Sequence, residues 1–523
     1  MPVKWAGLLL LVVQAVAAGA ARPKLLVWIV AEQFRPDYLE RYRGWFSAGG
    51  FNRLLNGGAV FRQCRYEYLS TFPASGAAVL AAGAYPERNG IVAEYWYDRE
   101  ARRVVRAVED PRHEIVGAGP PRRPGASSHR LAAPTLPDQL RLATGGRSRT
   151  VSISLRDQTA VLFAGRRPSG CYWPDETARW VTSTACAAEM PSWAAEFNRS
   201  RSALRFRGQP WRAHGVKDSA PPLRLLDGEG ARGLEDFFAV YRASPFALEE
   251  QFDFARAALD GETLGRGDST DQLVLSLSSL YLLGLETGAD SPLLRDLVVR
   301  LDRKLEEFLA ALDSRLGANN FWVVFTATQG LSELAEAVEP NGIPAGRVRG
   351  EELAAAVNAR LSAALGRDSY VEKYVYPFLY LRRGVLEKLG ARAAEAVELA
   401  GEAARGLPGV AAYYPPSRGA GLSPETAAPF ARSIYPGRSG DLLIAYQPYF
   451  SERHGEGRGV ATGSWYSYDT HVPLVFYGPP FRAQVFERLV SPADVAPTLA
   501  AALEIAAPAS TTGRPLAEAL KDR

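Results

Sequence analysis

The chain has 523 residues, 47% of them hydrophobic and 23% charged, a balance that fits a folded protein with a large core and excludes a disordered or fibrous one. A net charge of +4 is too small at this length to point to nucleic acid or to an anionic membrane surface. The basic residues are 54 Arg and 7 Lys, a bias that accompanies the many Ala and Gly and reads as base composition rather than as a phosphate-binding device.

Taken in chain order, the first 20 residues carry Lys4, an apolar run to about Val16, and Ala18 and Ala20 in an A-x-A pattern. The run is short for a bilayer span. The expectation is a signal peptide over 1–20 and an exported mature chain, 21–523, in a bacterial periplasm or outside the cell, with no transmembrane segment. An uncleaved anchor is the alternative. Short runs rich in Val, Ile and Leu then alternate with helical patterns: 24–30, 150–155, 272–278, 321–327, 441–447 and 471–478. This pattern predicts an α/β fold, a mostly parallel sheet covered by helices on both faces. The longest helical pattern, 291–317, has leucines at helical spacing and a glycine stop. The Pro- and Arg-rich stretch 110–130 reads as a solvated loop. Of three cysteines, Cys171 and Cys186 flank an apparent hairpin and would close a short loop, leaving Cys64 over; three unpaired thiols remain the other reading.

In an open α/β sheet, ligands bind beyond the carboxyl ends of the strands. Those ends place Glu32 and Gln33, then Arg156, Asp157 and Gln158, then Leu280 and Tyr281, then Thr328 and Gln329 at one crest. The segment YLSTFPASGAAVLAAGAYPERNGI, 68–91, reads as a loop and a helix start leading into that crest, with Pro73 at the first helical turn. Thr71 is the expected cap of this helix and Ser75 lies in its first turn.

Together with LLVWIVAEQFRPDYLERY, SISLRDQTAVLFAG, STDQLVLSLSSLYLLGLETGADS, FWVVFTATQG, RSGDLLIAYQPYF and TGSWYSYDTHVPLVFYG, that segment resembles the alkaline phosphatase superfamily. Within the superfamily the match points to the bacterial phosphomonoesterase and type I phosphodiesterase–nucleotide pyrophosphatase branch. The resemblance covers almost all of the mature chain. It implies an alkaline-phosphatase-like domain with inserted cap segments at about 165–260 and 335–430. It also implies phosphoric ester hydrolysis by a Thr or Ser nucleophile and two zinc ions, held by about three carboxylates and three imidazoles.

Carried over position by position, the family's reactive groups are replaced. The nucleophile position holds Pro73, and the first aspartate is Glu32, a weak metal candidate. The other ligand positions fall on Tyr281, Leu285, Thr328, Gln329 and Thr462. Among substrate-binding positions an Asn becomes Glu94, a Lys becomes Arg156 and an Arg becomes Gln158. Arg156 is a weak candidate for holding a phosphate or carboxylate, with a salt bridge to Asp157 or Glu94 as the alternative. Glu32 paired with an arginine is the alternative to a metal contact. The five histidines, His113, His129, His214, His454 and His471, do not supply three clustered ligands. Thr71 and Ser75 are the weak catalytic candidates that remain. The aromatic residues of EYWYDRE, 94–100, with Trp173 and Trp180, fit cap packing or a ring-binding cleft. The expected function is a catalytically inactive pseudophosphatase, without cofactor, that binds a small molecule or a protein. The alternative is an active hydrolase with a remodelled or metal-independent site.

Overall fold

Leu25–Ala31 is seven consecutive buried residues, Leu-Leu-Val-Trp-Ile-Val-Ala, and only a strand covered on both faces hides such a run. The computed structural model describes residues 22–522 apart from 118, 120–123, 201–202, 218, 228–232, 417–423 and 453–461. The expected signal peptide and His454 therefore lie outside the described residues.

The main sheet has eleven strands among the described residues. In chain order they are β1 (Leu25–Ala31), β2 (Ala59–Arg65), β3 (Glu109–Val116), β4 (Pro124–Ala126), β5 (Thr150–Ser154), β6 (Gly170–Pro174), β7 (Trp180–Ser183), β8 (Asp271–Leu277), β9 (Phe321–Ala327), β10 (His471–Tyr477) and β11 (Gln484–Val490). The spatial order is β11-β2-β10-β9-β1-β8-β5-β6-β7-β3-β4. The centre is parallel: β1 pairs with both β8 and β9, β8 with β5, and β5 with β6. β10 enters antiparallel between β9 and β2. The architecture is thus the α/β fold that the apolar runs predicted, on a mixed sheet whose centre is parallel and whose flanks are largely antiparallel.

Helices fix what reaches the crest. α1 (Pro73–Ala82) is buried along its whole length, and its Gly76 packs so close to the end of β9 that a Cβ would stand 2.1 Å from the Thr328 carbonyl oxygen. α2 (Asp157–Ala164) follows β5, α3 (Pro245–Gly261) covers β8 and β5, and α4 (Ser279–Thr287) follows β8. α5 (Pro292–Leu316) is the long helix read from the sequence, started by the Ser291 hydroxyl on the Leu294 N–H and ended at Gly317.

Two expectations are corrected. The run 441–447 is not a main-sheet strand. Leu442–Tyr446 pairs with Phe378–Leu381 and Val410–Tyr414 in a second, four-stranded sheet completed by Val371–Val375. An apolar run encodes a buried strand but not its partner. The stretch 110–130 is not a loop, since β3 and β4 form an edge of the main sheet, with buried Asp110 binding Arg112 and Ser127. The second sheet rests on helices α6 (Gly350–Leu365) and α7 (Ala393–Arg405) around a core of its own, including Leu353, Val357, Leu361 and Ile444. Most of the stretch 335–430 lies in this unit, which extends to Tyr446. Within 165–260, β6 and β7 continue the main sheet and α3 packs against it.

Cys171 and Cys186 are bridged, with Cα atoms 5.7 Å apart, and Cys64 is a buried thiol. Among the described residues, no helix is long and apolar enough to cross a membrane.

Candidate functional site

The crest is made where β1, β5, β8 and β9 stop. Glu32 follows β1 directly and is fully buried. Its Oε1 accepts hydrogen bonds from Thr159 Oγ1 (2.8 Å), Ser276 Oγ (2.8 Å) and Ser278 Oγ (2.7 Å). Its Oε2 accepts one from Arg156 Nη1 at 3.2 Å. The other guanidinium nitrogen, Nη2, donates to Glu94 Oε1 at 2.5 Å. The Arg156 guanidinium also lies 4.4 Å over the Tyr281 ring. Burial by itself would lower the Arg156 pKa, but Glu94, Tyr281 and Glu32 more than offset it and hold the guanidinium well above its ordinary range. The Tyr281 hydroxyl is pushed up by burial and by Glu94.

Other residues named from the sequence also meet here. Gln329 Nε2 donates to Thr462 Oγ1 at 2.7 Å. The Thr328 hydroxyl, Gln329 Oε1, Gln158 Oε1 and both polar atoms of the Gln33 side chain are buried without a hydrogen-bond partner among the described residues. Gln33 stands at φ 60°, a left-handed conformation that costs a non-glycine residue on the order of 1 kcal/mol. Leu285 and Tyr281 line the cleft above.

Pro73 is the first residue of α1, where a missing N–H loses no intrahelical bond. Thr71 does not cap the helix. Its Oγ1 donates to the Ser464 carbonyl at 2.6 Å, because the chain before α1 is drawn against the 462–466 loop. Phe72 is the cap residue instead, and Ser75 Oγ accepts its N–H at 3.1 Å. Arg156 pairs with Glu94 and Glu32, while Asp157 is taken by Arg106. Trp180 stacks on Phe254 at 4.1 Å, part of the packing between β7 and α3, so it does not join Tyr95 at the cleft.

A cleft of about 1330 Å³ opens from the crest to the second sheet and α6. Its far wall was not foreseen from the sequence. Tyr374 and Tyr446 share a hydroxyl–hydroxyl hydrogen bond of 2.6 Å, and the Tyr446 hydroxyl donates to Glu452. Tyr376 stacks on Tyr446 at 4.5 Å and meets Phe72 edge-on at 6.0 Å. The hydroxyls around Glu32 were also missed. The Ser276-x-Ser278 alternation at the end of β8 was the signal available, since both side chains share one face of the strand.

The family described as type I phosphodiesterase / nucleotide pyrophosphatase matches residues 26–400. The chain belongs to this family, within the alkaline phosphatase superfamily. Among relatives of this phosphodiesterase family, it is 28% identical over 521 residues to alkaline phosphatase PafA of Elizabethkingia meningoseptica, covering 95% of each chain. The crystal structure of wild-type PafA superposes with a TM-score of 0.87 at 27% identity, covering 96% of this chain and 99% of that one. A second PafA structure, with substitutions at a threonine, an asparagine, a lysine and an arginine, gives the same TM-score of 0.87 at 28% identity and the same coverage.

The two-zinc centre implied by the superfamily resemblance does not fit the residues present. Zinc binds clustered thiolate, imidazole or carboxylate donors. Among the described residues, no three or more His, Cys, Asp and Glu gather into such a group. The Glu32 carboxylate already accepts from three hydroxyls and a guanidinium. A fixed cation at 3.2 Å from that carboxylate also repels a second one. Of the described histidines, His113 and His129 flank Asp110, and His471 binds the Arg62 carbonyl. His214 is fixed by its backbone N–H to Asp296.

Proposed function

We propose that this protein is an exported member of the family that has lost phosphoryl-transfer chemistry and retains the scaffold and its cleft for binding. The observation that carries the reading is the Arg156 guanidinium lodged between Glu32 and Glu94, in a crest whose other reactive positions hold Pro73, Tyr281, Leu285, Thr328, Gln329 and Thr462. The substituted PafA adds support. Its altered threonine and asparagine are 21 residues apart and its altered lysine and arginine two apart, the separations of Pro73 from Glu94 and of Arg156 from Gln158.

Proline has no hydroxyl to attack phosphorus. The neighbouring hydroxyls are committed elsewhere: Thr71 Oγ1 to the Ser464 carbonyl, and Ser75 Oγ to the Phe72 N–H and the Tyr68 hydroxyl. Among the described residues neither has a base within hydrogen-bond reach, which leaves both without activation. Losing a constellation that acts as a unit costs on the order of 10⁶-fold in rate, about 8 kcal/mol of transition-state stabilisation.

The test uses protein purified from the exported fraction, with its zinc content measured after dialysis. Hydrolysis of p-nitrophenyl phosphate and bis-p-nitrophenyl phosphate is then followed with and without added zinc. The expected outcome is no stoichiometric zinc, turnover at background, and a mature N-terminus near residue 21 by mass. Zinc-dependent turnover at an ordinary enzymatic rate, abolished by a chelator, establishes the alternative of an active hydrolase with a remodelled site.

A further inference from the structure

Charge and hydrogen-bonding capacity at the crest point away from the family's ligand chemistry. A crest holding two dications attracts phosphate. Here the charged groups at the crest are Glu32, Glu94 and Arg156, so carboxylates outnumber the cation and both hydrogen-bonding ends of that cation are taken. The rest of the described lining continues the excess, with Glu351, Glu352, Glu372 and Glu452 against Arg349 and Lys373.

A second, independent feature goes with this charge. The walls also carry ring faces: Phe72, Tyr376 and Tyr374 line the cleft, and Tyr281 already carries the guanidinium of Arg156 on its ring. Aromatic faces attract cations through their quadrupole and do nothing for a phosphate dianion.

We infer that the cleft selects an organic primary ammonium, carried by a small amine or by a lysine side chain, and discriminates against phosphate esters. The inference rests on the binding reading above and supplies the ligand class for the same cleft. The ammonium would approach Glu94 at the crest, with its apolar chain along Phe72 and Tyr376. Affinity would fall with added salt, because the lining glutamates reach solvent at the mouth.

The experiment is calorimetric titration of the intact mature protein with 1,5-diaminopentane, with Nα-acetyl-lysine amide and with phenyl phosphate. At least one amine is expected to bind ten times or more tighter than phenyl phosphate, and the two amines separate a free amine from a lysine side chain as the source. Glu94→Gln is expected to weaken the amine at least tenfold and to strengthen phenyl phosphate, because half of Arg156 is released. The exposed pair Glu351→Gln with Glu352→Gln, which puts no buried contact at risk, is expected to weaken the amine about threefold with an unchanged Tm, and it decides the matter if Glu94→Gln does not fold. Failure of both amines to bind, tighter binding of phenyl phosphate by the wild type, or amine affinity unmoved by the folded variants overturns the inference. An inactive protein that ignores amines sinks only this inference, whereas zinc-dependent turnover sinks the proposed function.

Discussion

Replacing Arg156 with methionine probes the cation that ties the crest together. The side chain is 14% exposed, Glu32 is not exposed at all and Glu94 is 10% exposed, so the cluster is screened little by solvent. Methionine fills much of the volume of the arginine stem but leaves two buried carboxylates facing each other without a cation. Removing one partner of a buried ion pair typically costs about 3–5 kcal/mol, because the other charge stays desolvated. An unfolding entropy of about 2.1 cal/mol/K per residue, over about 500 residues, gives roughly 1 kcal/mol per degree. Arg156→Met should therefore lower Tm by about 3–5 °C in a thermal melt at pH 8. Glu32→Gln added to Arg156→Met should recover part of the deficit, because one of the two facing charges is then gone. A Tm change under about 1 °C would refute the view that this ion pair organises the crest.

Three further outcomes are expected. Pro73→Thr should fold with a loss of at most about 1 kcal/mol, the scale of a proline's effect on the unfolded chain, and should show no phosphatase activity in saturating zinc; robust turnover would reveal a metal site. Burial pushes the Asp469 carboxyl up to about 8 against the hydrogen bonds from Ser464, so its protonated form stabilises the folded chain and that contribution is lost as pH rises toward 8. Between pH 5 and 7 the wild type should lose about 1.4 kcal/mol per pH unit relative to Asp469→Asn, measured by denaturant melts. The Cys171–Cys186 bridge spans a sequence separation of 15, a loop for which chain entropy gives about 3 kcal/mol, so Cys171→Ala with Cys186→Ala should lower Tm by about 3 °C, and an unchanged Tm would assign the bridge no role in stability.

Local pattern by itself determined much of this protein. The run Leu25–Ala31 has no polar residue and can be satisfied only between two covering layers, so it read as a central strand. Ser291 and Gly317 delimit α5 because a hydroxyl cap and a glycine exit are local chemistry. That Pro73, Tyr281, Thr328 and Gln329 stand at the strand ends and helix start of the crest was legible because those ends are set by local pattern. What could not be read is what these residues do to one another. Arg156 had carboxylates beside it in sequence and across the crest, and packing gave it Glu32 and Glu94 while Arg106 took Asp157. Leu442–Tyr446 has the composition of a main-sheet strand, but ladder hydrogen bonds are formed with whichever strand folding brings alongside, and that was the second sheet. The cleft tyrosines Tyr374 and Tyr376 are backed by buried Tyr446, about 70 residues further along the chain, and that packing exists only once the second sheet has formed. Residue identity determined which side chains stand at the crest, and the tertiary structure, through long-range pairing and side-chain direction, decided which charges and surfaces they meet.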